Sequence, residues 1–558
     1  MIVFFSTAEE VTAKYFTIDS PDQKIKALIT IDKQVRYSLS YEGKEYLLPS
    51  AISMTLHDGA VLGEQVKLIG NYYNDTKEKY KELLLEFAGN YIITFRLYNE
   101  GLAYRFSTEF KQEIIVKEEK NEYRFNTDFK KFIHIPLLEY LYPFNEHADK
   151  LKPNYSSLPL LLKTPDQMNI LIQESAVKAY PQMNVYANPI GKNMLVGEHT
   201  PAQDLIDREV THDYISKTRG NRNFPWRLIS FEKELDKIFD NKLISMLCPK
   251  GLPNDELWNK SGNLAWNWWD AINLSADDYK VGFHTDTYKC FIDFAAKTGI
   301  QYVTIEKGWC NPNNLLKLNP NLNISALLAY AKERKIGLLF SCEYEALNKQ
   351  MEATMNQFEK WGIAGLNIDL RQLDDDKKAD FKGCLSRKAA KMDKHLTFHN
   401  PCYQHLEENR YGRLMRQVTR CNQLASYKVF SASLEKLEVE RLIHKQDPVY
   451  LKYLANMPVV FDETLPMNSK IGEYVTIARR KDKDWFMGCM TNWDSRTINL
   501  KLDFLDAGTT YNAEIFMDCL GNEQNDLGYK RIERELRKND EISVVMAPGG
   551  GWSAKFTY

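Results

Sequence analysis

The sequence predicts a multidomain protein: an N-terminal antiparallel β-sandwich over residues 1–245, a barrel-type α/β domain over 246–470 and a C-terminal all-β domain over 471–558. Three observations predict it. A chain of 558 residues exceeds what one hydrophobic core organises. Its period-two alternation gives way near residue 260 to a strand–helix rhythm, and near 472 the alternation returns.

In the first domain Val35, Tyr37, Leu39 and Tyr41 alternate with Arg36, Ser38 and Ser40 before a Glu42-Gly43 turn, the pattern of a half-buried strand. The runs Ile92 to Leu97 and Leu102 to Phe106 flank Tyr98-Asn99-Glu100-Gly101, a hairpin signal whose Gly101 can take positive φ. Further β-rich runs fall at 27–31, 132–136, 158–163, 169–174 and 226–231. In the second domain, strands at 264–269, 302–305, 337–340, 363–370 and 396–399 alternate with helices at 285–298, 323–335, 347–361 and 376–393. Such alternation implies a parallel sheet with right-handed crossovers, and a run this long suggests a barrel; no Gly-rich phosphate loop supports the doubly wound alternative. The last domain reads as strands at 473–478, 485–490, 497–502, 511–516, 542–546 and 552–558.

Composition narrows the function. With 73 basic and 75 acidic residues and no dominant basic run, the footprint of a nucleic-acid binder is missing. Nine Cys, absent from the first 247 residues and without CxxC spacing, argue against a disulfide framework or a zinc cluster. HExxH, GxSxG and GxxxxGK[ST] are absent, and no apolar stretch is long enough to span a bilayer. The opening Met1 to Ala8 resembles the end of a signal h-region without its basic start, so a periplasmic or secreted location is expected. Thirty-one Tyr and ten Trp suit flat, hydroxyl-rich ligands such as sugars.

In barrels the reacting groups lie just beyond strand C-termini. Those positions hold Trp266, Trp268, Trp269 and Asp270; Glu306, Lys307 and Trp309; Glu343 and Glu345; Asp369; and His399. Carboxylates paired across a scissile bond, with aromatic planes for the ring faces, are the equipment of a glycosidase. Competing structural roles are an inward-packed Trp on alternate strand positions and a solvated rim pair of Glu306 with Lys307. Asp369 ends an apolar strand, where an unpaired carboxylate is costly, and so reads as functional.

The segments Ser216-Lys217-Thr218-Arg219-Gly220, Phe224-Pro225-Trp226-Arg227, Ala265-Trp266-Asn267-Trp268-Trp269, Thr285-Asp286-Thr287-Tyr288-Lys289 and Tyr302 to Trp309 resemble, in order, glycoside hydrolase family 97. The resemblance implies an N-terminal β-super-sandwich, a (β/α)8 barrel, a C-terminal β domain, an exo-acting α-glycosidase activity of the α-galactosidase or α-glucosidase type on an oligosaccharide, α-galactoside or α-glucoside, and one calcium ion. Gly365-Leu366-Asn367-Ile368-Asp369 matches the retaining, α-galactosidase-type branch, with Asp369 as nucleophile. Asn400 stands where inverting members carry Glu, and Asn367 where the family usually has Lys.

The family's Glu-x5-Glu pair after the sixth strand, whose second member is the acid or acid/base, falls on Gln417 and Gln423, so amides replace both carboxylates. Glu174 remains the one carboxylate of the metal set Glu174, Asn400, Gln417 and Gln423, so calcium is expected to be weakened or lost. Asn367, His399 and Arg420 join the Trp residues as sugar-contact candidates, and Glu343 or Glu345 as replacement proton donors. Asn422 to Leu437 also matches the segment entering the last barrel helix, which leaves the barrel short of its seventh strand. Two readings follow: a retaining α-glycosidase impaired on natural linkages, because an amide donates no proton, and a non-catalytic carbohydrate-binding relative. A monomer or homodimer is expected.

Overall fold

The computed structural model describes residues 12–75, 79–132, 156–177, 180–188, 193–199, 213–234, 237–238, 241–248, 262–266, 284–369, 381, 384–386, 388–389, 392, 394–399, 418–430, 434–438, 447–519 and 528–558. Two compact units part between Lys250 and Gly251.

The first unit is built from antiparallel sheets of ten and nine strands around one shared core. Alternation along Val35–Tyr41 sends Val35, Tyr37 and Leu39 into that core, where the Tyr37 ring lies 5.2 Å from Tyr104 and 6.5 Å from Phe95 of the other sheet. Glu42 and Gly43 take φ of 48° and 80°, the turn the sequence signalled. The Tyr91–Leu97 and Gly101–Glu109 hairpin forms in the expected register, Leu97 opposite Leu102. Gly101, however, does not use positive φ. Its role is close approach: a Cβ there would lie 2.1 Å from the Ile229 carbonyl oxygen of the neighbouring strand.

The second unit holds a six-stranded, all-parallel sheet ordered His395–His399, Gly365–Asp369, Gly337–Glu343, Tyr302–Ile305, Gly262–Trp266, Leu434–Glu438. Five strands follow chain order, and the latest in sequence pairs with the earliest. The expected helices appear as Thr285–Thr298 and Ile324–Glu333; the third is broken at Gln350 into Tyr344–Lys349 and Met351–Trp361. The helix expected over 376–393 falls largely outside the described residues.

At the C-terminus a six-stranded sheet and a two-stranded sheet, Arg496–Lys501 with Glu541–Met546, enclose a core around Trp485, Tyr511 and Trp552. The strand Tyr529–Arg537 was missed by periodicity because it is a charged edge strand with only Tyr529 and Leu536 buried. The Arg420–Val429 helix docks on this sheet at backbone distance: a Cβ on Gly551 would lie 2.4 Å from Asn422 Cα, and Asn422 Nδ2 donates to the Gly550 carbonyl at 2.9 Å. No described helix is long and apolar enough to cross a membrane.

Candidate active site

Parallel strands put their C-terminal ends on one rim. Glu343, Asp369 and His399 are the last residues of three adjacent strands and stand in Cα register, Glu343 opposite Asp369 and Asp369 opposite His399. Glu306 follows the end of Tyr302–Ile305 on the same rim. One layer below the rim, Ser341 is in register with Asn367.

The two sides of the sheet differ in chemistry. On the helix side Phe340 packs with Phe358 and Trp361, ring centroids 6.0 and 5.8 Å away. Alternation then turns Ser341 to the opposite side, where a chain of hydrogen bonds crosses three strands. Asn367 Nδ2 donates to Ser341 Oγ at 3.0 Å, and Ser341 Oγ donates to Glu306 Oε2 at 3.0 Å. The Glu306 backbone N–H donates to Tyr288 Oη at 3.2 Å. Burial, and secondarily the Glu306 charge, raise the Tyr288 hydroxyl above its ordinary range, so it stays protonated. Lys307 pairs with Glu343, Nζ to Oε1 at 2.7 Å.

Several expected positions are placed differently. Trp309, expected to offer a sugar platform, is a core residue: it is 0% exposed, its Nε1 donates to the Ser341 carbonyl at 2.8 Å, and Phe340, Phe358 and Trp361 enclose it. Arg420, expected to contact sugar, pairs with Asp447 at 3.0 Å between the rings of Tyr450 and Tyr529. Gln423, expected beyond a barrel strand, lies in the first turn of the helix docked on the C-terminal sheet, where Tyr450 Oη donates to its Oε1 at 3.5 Å. Glu345 is exposed in the first turn of Tyr344–Lys349, a place that favours a carboxylate through the helix dipole. Trp266, Asp369 and His399 are placed by their backbone. Trp268, Trp269, Asp270, Asn400 and Gln417 lie outside the described residues.

Glu174 sits in the first unit, on the strand Asn169–Ser175, opposite Arg227. Its Oε2 accepts from Arg227 Nη1 at 2.6 Å, and the Met183 N–H lies 3.2 Å from both carboxylate oxygens. Arg227 also donates to Glu119 through Nε at 2.9 Å and Nη2 at 2.8 Å, and its Nη2 lies 2.8 Å from His199 Nε2. Burial pushes His199 down to about 4, leaving it a neutral acceptor, and pushes Glu174 up to about 7 against the Arg227 charge. Burial also raises Glu119, but Arg227 and His199 outweigh it and hold that carboxyl at about 2. The sequence reading missed this cluster, although Arg227 amid the apolar run Trp226–Phe231 was its signal: a cation on an inward register demands buried counter-charge.

Comparison with known proteins fits these features. Three family models match in order: Glycosyl-hydrolase 97 N-terminal over residues 18–249, Glycoside hydrolase 97 over 268–417, and Glycosyl-hydrolase 97 C-terminal, oligomerisation, over 460–557. The chain belongs to glycoside hydrolase family 97. A family relative named retaining alpha-galactosidase, from Bacteroides thetaiotaomicron, is 27% identical over 645 aligned positions, covering 97% of each chain. That alignment is longer than the 558 residues here, so the relative carries segments this chain lacks. A probable retaining alpha-galactosidase from Streptomyces bingchenggensis is 22% identical over 63% of this chain and 60% of its own length. Among solved structures, a family 97 enzyme from Pseudoalteromonas sp. in complex with acarbose superposes with TM-score 0.78 at 20% identity, over 97% of this chain and 100% of that one. A β-arabinopyranosidase superposes with TM-score 0.75 at 17% identity over the same shares. At these identities the superpositions establish the fold.

Proposed function

We propose that this chain is an exo-acting, retaining α-glycosidase of the α-galactosidase type, with Asp369 as nucleophile. The observation that carries the reading is the position of Asp369: last in its strand, in register with Glu343 and His399, and two residues beyond Asn367 in the buried polar row. The name of the Bacteroides relative supports the same sugar class. In this reading the Asp369 carboxylate attacks the anomeric carbon, the glycosidic oxygen leaves with its electron pair, and water then cleaves the glycosyl ester to regenerate the carboxylate. The buried row fixes the strand ends from below: Ser341, donating to Glu306 and accepting from Asn367, holds Glu306 as an oriented acceptor for sugar hydroxyls.

The proton donor is not Gln423, an amide held on the C-terminal sheet. Glu343 is engaged by Lys307. A leaving group that departs as a stable anion needs neither, whereas losing general acid catalysis usually costs ~10²–10⁴ in rate on natural linkages. The reading includes a (β/α)8-type barrel around the parallel sheet, the three domains 1–245, 246–470 and 471–558, export to the periplasm or medium, and a homodimer suggested by the oligomerisation label of the C-terminal family model. Calcium, as implied by the family resemblance, does not fit Glu174 as found, whose carboxylate is committed to Arg227.

The test is hydrolysis of 4-nitrophenyl and dinitrophenyl α-galactosides by the full chain and by Asp369→Asn. Slow cleavage with net retention, lost in the variant, is expected. Undiminished hydrolysis in Asp369→Asn overturns the assignment, and galactose binding without any turnover selects the carbohydrate-binding alternative.

A further inference from the structure

We infer that in this chain the guanidinium of Arg227 is the resident cation of the Glu174 site, so that Glu174 is its buried hydrogen-bond partner and not a ligand for calcium. Arg227 is 1% exposed and uses both edges of its fork: Nε and Nη2 grip Glu119 in a bidentate pair, and Nη1 reaches Glu174 Oε2. The fork cannot swing away to admit an ion, because the same planar group is anchored by Glu119. Glu119 is itself fixed by Asn121 Nδ2, 3.2 Å from its Oε1, and Asn121 accepts from Tyr104 Oη at 2.7 Å. His199 closes the remaining side on Nη2, with the Tyr180 ring edge-on to it at 5.8 Å.

Calcium binds carboxylate oxygens at about 2.3–2.6 Å and prefers several anionic ligands. An ion bonded to Glu174 would stand only about 5 Å from a guanidinium that cannot leave, in surroundings that screen charge poorly. Strand pairing enforces the choice: Glu174 faces Arg227 across the ladder between Asn169–Ser175 and Trp226–Glu232, so the pair forms whenever the sheet forms. The sheet thus carries its own positive charge to this carboxylate. The inference stands apart from which sugar the rim accepts.

The experiment is calorimetric titration of calcium chloride into the EGTA-stripped full chain, with wild type and Glu174→Gln compared, alongside thermal unfolding of both in calcium and in EGTA. The expected result is that calcium distinguishes the two proteins in neither assay: no binding in both, or the same isotherm in both because any calcium sits elsewhere. Glu174→Gln should shift the midpoint equally with and without calcium. A tenfold or larger loss of calcium affinity in Glu174→Gln, or a calcium-dependent midpoint that the variant abolishes, overturns the inference. Hydrolysis of 4-nitrophenyl α-galactoside, read in parallel, keeps the outcome separate from that of the Asp369 assignment.

Discussion

Lys428 offers the sharpest test of how the docking helix is held. The residue is 0% exposed, and its Nζ hydrogen-bonds with Tyr453 Oη, Ser553 Oγ and, at 3.1 Å, the Ala554 carbonyl, the neutral amine donating two of these bonds and accepting one from a hydroxyl. All three partners are neutral. Cys489, Cys421, Glu514 and Lys555 are the other titratable groups that influence it, and burial dominates, driving the amine well below its ordinary range. Replacing Lys428 by Met keeps the stem packed against Gly488 and removes a polar head whose burial costs several kcal/mol if charged. It forfeits three hydrogen bonds of about 1 kcal/mol each, yet Tyr453 Oη and Ser553 Oγ lie 3.2 Å apart and satisfy one another. The net expectation at pH 7 is stabilisation by about 1–3 kcal/mol.

The sign with pH follows from linkage. Because the folded pKa lies below the unfolded value of 10.5, the unfolded chain binds more protons at this site between the two, and the contribution of Lys428 to wild-type stability rises with pH until about 10.5. Lys428→Met lacks that slope, so its advantage shrinks by about 1.4 kcal/mol per pH unit as pH rises through the window. Urea denaturation at pH 6, 8 and 9.5, followed by fluorescence of Trp485 and Trp552 in the adjoining core, measures the difference. A variant less stable than wild type at pH 7, with a gap that does not change with pH, would refute the argument.

Two further outcomes test the packing. Trp309→Ala should lower stability by about 3–5 kcal/mol in thermal or chemical unfolding, as for a large core aromatic; an unchanged midpoint with weakened sugar binding would return Trp309 to the ligand surface. Gly551→Ala should displace the Arg420–Val429 helix, since the new Cβ would overlap Asn422 Cα at 2.4 Å. A lower midpoint and increased dye binding are expected, and a wild-type melting curve would contradict the docking.

Patterning made the alternation of elements legible. Period two along Val35–Tyr41 and the matched hairpin around residue 100 follow from local geometry alone, as do the helices Thr285–Thr298 and Ile324–Glu333. The apolar strand ending in Asp369 advertised itself, because a carboxylate closing an apolar run is expensive without a purpose. The parallel rim placed Glu306, Glu343 and His399 with it, as strand order in the sequence implied.

What the sequence by itself determined, then, was the succession of sheet and helix and the strand ends where chemistry gathers, since both depend on neighbours within a few residues. Tertiary structure decided which polar groups answer which. Trp309 beside Glu306 could face sugar or core, and only the Met351–Trp361 helix packing over Phe340 settled it as core. Gln423 and Arg420 belong to a helix whose partner sheet begins some forty residues later, and Glu174 meets Arg227 only because two strands distant in sequence pair in register. Long-range contacts of that kind fix burial, and burial fixes charge state; no local pattern encodes either.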